Sequence, residues 1–203
     1  MMMMDTLEAI EARRSIKNFD ATYLLPDEDV RTIMTATLKT PTSFNIQNYR
    51  FVIVRDKVIQ AQLKAASWNQ AQVLDASIVV LLCADLKAPV TNPKRYWYQA
   101  PTEIAEALSG MTLQFYDGKE DLQHDEALRS IGMAAQTLML AAKSIGYDTC
   151  PMIGFETEKV EKIIQLPADY ILGMMIVVGK ATQPARERSG PLDYSELVFE
   201  NHF

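Results

Sequence analysis

The sequence predicts a single α+β domain, and three observations lead there. About six helical segments and four or five short strands are legible, and they do not alternate regularly as a doubly wound sheet requires. No G-x-G-x-x-G follows the first strand, so a nicotinamide nucleotide is not expected in the Rossmann manner. The 203 residues suit one domain with a substantial core and are too few for two comfortable catalytic domains.

The first helix is expected over residues 6–14, where Leu7 and Ile10 recur at helical spacing. Pro26 followed by Asp27, Glu28 and Asp29 opens a second, running to about Lys39, since acids in a first turn complement the helix dipole. An irregular loop lies between them. Residues 49–54 alternate as a strand does, and residues 77–84 form a continuous β-branched run of the kind buried on both faces. Residues 57–66 read as a short helix and 68–74 as a turn or second short helix. Residues 87–101 hold Pro89, Pro93, Tyr96, Trp97, Tyr98 and Pro101 with no clean period, which predicts a loop or lid. Helices are expected over 103–116 and 126–145. The second carries an apolar face of Leu128, Ile131, Ala135, Leu138, Ala142 and Ile145 that Gly146 ends. A helix over 157–164, a buried strand over 171–178, a basic turn over 183–190 and an extended tail through Phe199 complete the chain. There is no internal repeat or low-complexity segment.

Lys and Arg total 20 against 26 acids, a net charge of -6, so the global field repels a polyanion and any phosphate site must be locally basic. Nucleic acid is therefore not an expected partner. Cys83 and Cys150 lie in apolar sequence without C-x-x-C spacing, which predicts buried thiols in a reducing, cytoplasmic compartment. No His, Cys or carboxylate cluster has metal-ligand spacing. The opening Met1–Met4 lacks a basic flank and an apolar core, so residues 1–4 are read as a start-site extension without fixed structure and not as a signal peptide. No uncharged apolar run approaches the roughly 20 residues that cross a bilayer, and no membrane association is expected. His124 and His202 are read as surface residues.

Three segments could carry chemistry. Arg13-Arg14-Ser15-Ile16-Lys17 places three cations and a hydroxyl at a helix end, where guanidinium forks suit a phosphate monoester. Basic residues also favour helix C-termini while fully solvated, so the segment alone leaves both readings open. Arg186-Glu-Arg188 is remote and follows a buried strand. Two such clusters in an acidic chain are what a closed anion pocket requires if the fold joins them. Pro41-Thr42-Ser43-Phe44-Asn45-Ile46-Gln47 offers amides and hydroxyls that could read a flat heterocycle, although these types also favour ordinary turns.

Taken with Trp68-Asn69-Gln70 ahead of Asp75-Ala76-Ser77, and Pro151-Met152-Ile153-Gly154-Phe155 after a helix, these segments resemble the FMN-dependent nitroreductases in order and spacing over nearly the whole chain. The resemblance implies a mixed or antiparallel sheet flanked by helices, an intertwined homodimer with its C-terminal tail over the partner, and two tightly bound FMN molecules at the interface. It implies that Arg13, Ser15, Arg186 and Arg188 hold the phosphate with Arg14 nearby, and that Lys17 reaches the ribityl and pyrimidine edge. Asn69 would meet the pyrimidine, and Gln72 stands where some relatives carry Lys. The backbone of Ile153 and Gly154 would lie near flavin N5. Pro41, Thr42, Ser43, Asn45 and Gln47 would come from the partner chain.

The implied activity is ping-pong hydride transfer from NADH or NADPH to nitroaromatics, quinones or other electron-poor acceptors, with flavin supplying the redox chemistry. No side chain is identified as a general acid. A dehalogenating or ring-fragmenting use of the same fold, and a flavin-binding regulatory module without turnover, are the alternatives. Asn48-Tyr49 stands where the family commonly has Pro-Trp, and residues 87–116, which shape the substrate pocket in this family, match no one relative closely.

Overall fold

The computed structural model describes residues 4–203. Expectations for Met1 to Met3 fall outside the described residues, whereas the Met4 N–H donates to the Ser144 carbonyl at 3.1 Å. In chain order come α1 (Thr6–Ala12), α2 (Asp27–Thr37), β1 (Tyr49–Val54), α3 (Lys57–Ala66), α4 (Gln72–Asp75), β2 (Ile78–Asp85) and α5 (Ala88–Thr91). They are followed by α6 (Thr102–Tyr116), α7 (Glu120–Ser144), β3 (Asp148–Met152), α8 (Thr157–Ile163), β4 (Tyr170–Gly179) and α9 (Tyr194–Leu197). The strands form one antiparallel sheet in the order β1-β2-β4-β3. The fold is α+β, as expected.

β2 is buried along nearly its whole length because helices cover both faces of the sheet. Val79, Leu81 and Cys83 point to one side and pack with Leu63 of α3, Val160 of α8 and Met175 and Val177 of β4. Ile78, Val80, Leu82 and Ala84 point to the other and meet Ile131, Ala135, Leu138 and Ala142 of α7. Period-two alternation thus divides one apolar run between two cores. A continuous apolar strand is usually a mark of parallel sheets, but burial of both faces imposes it here on antiparallel pairing.

α7 begins six residues earlier than its apolar periodicity indicates, at Glu120, where Glu120 and Asp121 occupy the first turn. Consequently His124 lies on a helix, and it is exposed as expected. The buried face includes Ala127 and Ala134, while Leu128 points outward. Gly146, at φ 80°, ends the helix as expected: the Tyr147 N–H reaches back to Ala142 O at 2.9 Å. Residues 87–101 are not wholly irregular, since α5 and a 3₁₀ turn at Pro93–Trp97 each accept proline in a first turn. The tail likewise contains α9 where an extended segment is expected.

β3 is absent from the sequence expectation. Asp-Thr-Cys-Pro-Met lacks strand patterning, and Pro151 is tolerated because β3 bonds to β4 alone among the named strands.

Between Leu82 and Cys83 the pairing of β2 with β4 slips: Leu82 faces Met174 and Cys83 faces Leu172, so Gly173 is an extra, unpaired residue. A Cβ at Gly173 would lie 2.7 Å from Ile131 Cδ1 and 2.9 Å from Ile131 Cγ2, and Ile131 is itself buried. We expect Gly173→Ala to cost about 1–3 kcal/mol by overpacking this contact. Urea titration checks this as a lowered midpoint at unchanged slope.

Candidate functional site

The site is built on the outer edge of β3. A capping box starts α1: the Glu8 N–H donates to Asp5 Oδ1 at 2.9 Å and the Asp5 N–H to Glu8 Oε2 at 3.1 Å. The helix stops at Arg13, whose backbone is extended. The chain then runs beside β3, with Ser15 bridging Thr149 in parallel fashion and the Ile16 N–H donating to Thr149 O at 3.0 Å. Ile16 and Phe19 are buried in the core on the α3 side. Alternation in this extended strip carries Arg13, Ser15 and Lys17 to the opposite side from Ile16.

The second wall follows β4. Phe19 pairs with Ala181, the Asp20 N–H donates to Lys180 O at 2.9 Å, and the Thr182 N–H to Asn18 O at 3.0 Å. Residues 184–188 then return over the end of α1. The Arg14 guanidinium donates to the Arg186 carbonyl, and Arg188 Nη2 donates to Glu11 O in the last turn of α1 at 3.1 Å. Two segments remote in sequence thereby enclose a cleft of about 610 Å³, within the usual range for small-molecule sites.

Arg13, Arg14, Ser15, Lys17, Gln72, Arg186 and Arg188, all expected from sequence, line this cleft. Among the described residues none of its five cations pairs with a carboxylate. Glu187 is the one acidic residue in the lining. Such a concentration of unpaired positive charge, with the exposed Ser15 hydroxyl, suits a phosphate dianion.

The cleft also contains a residue that sequence reading missed. Gln70 Nε2 donates to the Gly154 carbonyl at 3.0 Å, and Gln72 Nε2 donates to Gln70 Oε1 at 2.9 Å. The segment before α4 is thereby tied to the Ile153–Gly154 turn. Trp68 reinforces the tie, because a Cβ on Gly154 would lie 2.9 Å from its ring. Trp68 and Asn69 both have positive φ, a conformation that Asn adopts readily but that Trp holds only when surroundings impose it. Asn69 and Ile153 are exposed beside this assembly and do not line the cleft.

Pro41, Thr42, Ser43, Asn45 and Gln47 lie elsewhere. They precede β1, at the opposite edge of the sheet from β3, and Tyr49 aligns through Ala84 with Ile171 at the start of β4, whereas Thr149 aligns with Val178 near its end. Strand spacing and rise put Tyr49 and Thr149 on the order of 25 Å apart. The loop is fastened to the region of α6: Tyr116 Oη donates to Ser43 Oγ at 2.8 Å and Asn45 Nδ2 to Tyr96 O at 3.0 Å. Phe44, Asn45 and Gln47 all have positive φ, a clustering of backbone strain typical of functional loops.

The fold and the cleft on its edge define an α+β protein with a basic pocket of about 610 Å³ beside β3. The nitroreductase family model matches residues 10–180, and the chain belongs to the nitroreductase family, whose members are oxidoreductases. It is 50% identical over 188 residues to Protein DrgA of Synechocystis sp., covering 92% of this chain and 90% of that protein. It is 32% identical to YodC of Bacillus subtilis, named as an NAD(P)H nitroreductase, covering 91% of this chain and 94% of that one. Among solved structures, a nitroreductase from Exiguobacterium sibiricum in complex with FMN superposes with a TM-score of 0.90 at 26% identity, covering 98% of both chains. Among the described residues no helix is long and apolar enough to cross a membrane.

Cys150 lies buried under the cleft, and burial pushes its thiol up while Lys17 and Arg13 pull it the other way. Burial, with the Glu161 carboxylate adding to it, pushes the Cys83 thiol up to about 12. Both shifts disfavour the thiolate, which is the reactive form. At pH 8 we expect a disulfide reagent to titrate neither thiol in the native protein and both after denaturation.

Proposed function

We propose that this protein is a homodimeric, FMN-dependent oxidoreductase that takes electrons from NADH or NADPH and passes them to nitroaromatics, quinones or similar electron-poor acceptors in a ping-pong cycle. The observation that carries this reading is the convergence of Arg13, Arg14, Lys17, Arg186 and Arg188, without carboxylate partners among the described residues, on one cleft of an acidic chain. The residues fit the cofactor: cations and a hydroxyl for the phosphate, side-chain amides for a polar heterocycle. FMN, when bound, supplies the redox chemistry.

Arg13, Ser15, Arg186 and Arg188 are assigned to the phosphate. Arg14 braces the wall through the Arg186 carbonyl. Lys17 is assigned to the ribityl and the pyrimidine edge, where a cation stabilises negative charge electrostatically. Gln70 and Trp68 hold the Ile153–Gly154 turn, whose backbone N–H groups are assigned to the reacting edge.

Separation of the cleft from residues 41–47 supports a shared site. If both meet one mononucleotide, two chains must supply them, because within one chain they stand at opposite corners of the sheet. The tail supports it too. Leu192, Tyr194, Leu197, Val198, Phe199 and Phe203 are exposed in the single chain, an apolar surface that a free segment has no reason to carry.

Protein supplemented with FMN during purification is expected to be yellow, to be bleached anaerobically by NADH or NADPH, and to recover colour with a nitroaromatic or quinone. A flavin that binds but resists both nicotinamides would reduce the protein to a binding module. Arg13→Ala combined with Arg188→Ala is expected to weaken FMN binding at least roughly 100-fold, as charge-assisted hydrogen bonds contribute about 1.5–3 kcal/mol each. Unchanged affinity in calorimetry places the phosphate elsewhere. Sedimentation at submicromolar concentration is expected to find a dimer, and removing residues 192–203 is expected to shift it toward monomer.

A further inference from the structure

Gln72 is 4% exposed and yet lines the cleft. It opens α4, which holds its backbone, and its side chain reaches back toward β3. Its carboxamide has two N–H groups and one carbonyl oxygen. The Nε2 atom donates to Gln70 Oε1 at 2.9 Å and faces Met152 Sδ at 3.6 Å, so both of its hydrogens have acceptors within the protein. Gln70 cannot reverse without losing its own bond, because its Nε2 donates to the Gly154 carbonyl, which can only accept. The direction of the whole relay is therefore fixed by one backbone carbonyl. The remaining atom, Gln72 Oε1, accepts no hydrogen bond from any described residue, and it belongs to a buried side chain on the cleft wall.

We propose that Gln72 is a ligand-selecting residue that presents a hydrogen-bond acceptor, never a donor, to the cleft, with Gln70 and the Gly154 carbonyl as the groups that set this polarity. The bound molecule must then offer an N–H or O–H at that point. Resting on the FMN reading above, the groups that qualify are the imide N–H of the ring and the hydroxyls of the ribityl chain. The ring carbonyls and the phosphate oxygens cannot fill the position.

This arrangement differs chemically from a lysine at the same place. A lysine is a donor and a cation, and it would attract the ring carbonyls that Gln72 leaves aside. Gln72 and Lys17 thus divide recognition between them: Lys17 donates from the cationic strip, and Gln72 accepts from the amide side.

The test is a binding cycle by calorimetry on the folded full-length protein, wild type against Gln72→Met, with FMN against its 3-methyl derivative, which lacks the imide N–H. Loss of one buried hydrogen bond corresponds to roughly three- to tenfold in affinity, so Gln72→Met is expected to bind FMN that much more weakly. If the imide is the donor, methylation costs wild type a similar factor and costs the variant little. If a ribityl hydroxyl is the donor, methylation costs both proteins alike while the variant stays weak. Equal FMN affinity in wild type and Gln72→Met overturns the proposal.

The polarity itself is read without any ligand. In ¹⁵N spectra of the apoprotein, both Gln72 side-chain amide protons are expected to exchange slowly and to lose that protection in Gln70→Leu. Rapid exchange in wild type overturns the relay even where Gln72→Met fails to fold. A wild-type protein that shows the protected amide but binds no FMN preserves the acceptor assignment and refutes the cofactor.

Discussion

The bond from the Ile16 N–H to the Thr149 carbonyl fixes the position of the basic strip that lines the cleft. It docks a short extended strip on the open side of β3, and the burial of Ile16 and Phe19 holds the strip in register. With register set, alternation sends Arg13, Ser15 and Lys17 one way and Ile16 the other. The same strip then receives residues 180–182 from the end of β4, which brings Arg186 and Arg188 across the end of α1. A slip of one residue would turn the cations toward the core and Ile16 away from it. The site is thus a by-product of strand pairing, with no dedicated subdomain.

Charge is distributed against the average of the molecule. The chain carries a net -6, yet five cations face one cleft with Glu187 alone opposing them. Like charges so close repel one another, and the chain bears that cost in the ligand-free state. An anion that enters relieves it, and by linkage adds stability of about 2.7 kcal/mol at a hundred times its dissociation constant. The acidic exterior meanwhile discourages polyanions, so the cleft combines strong local attraction with weak attraction at long range.

How much of this the sequence disclosed depended on whether a residue's role is local. β2 and β4 were legible because a β-branched run in a doubly covered strand has no polar interruptions. The Arg13 to Lys17 strip was legible because cations and a hydroxyl crowd the end of a predictable helix. β3 was not, since its Asp, Thr and Pro are permitted only by an edge position that no local pattern reveals. The start of α7 was hidden by a polar first turn, although Glu120 and Asp121 are themselves a start signal that could have found it. Gln70 was missed because it stands beside Asn69 and Gln72 as one more amide. Only the Gly154 carbonyl, 84 positions away, distinguishes it.

Pro151 has a consequence beyond its tolerance at an edge. A sheet with two open edges can recruit foreign strands from either side, a hazard that natural proteins suppress. In this protein β3 is guarded twice, by a residue that lacks a backbone donor and by the strip that covers Thr149. β1, at the other end of the order β1-β2-β4-β3, carries no strand on its outer side among the described residues. The sheet is therefore directional: any strand that lengthens it, whether from assembly or from misfolding, must join at β1.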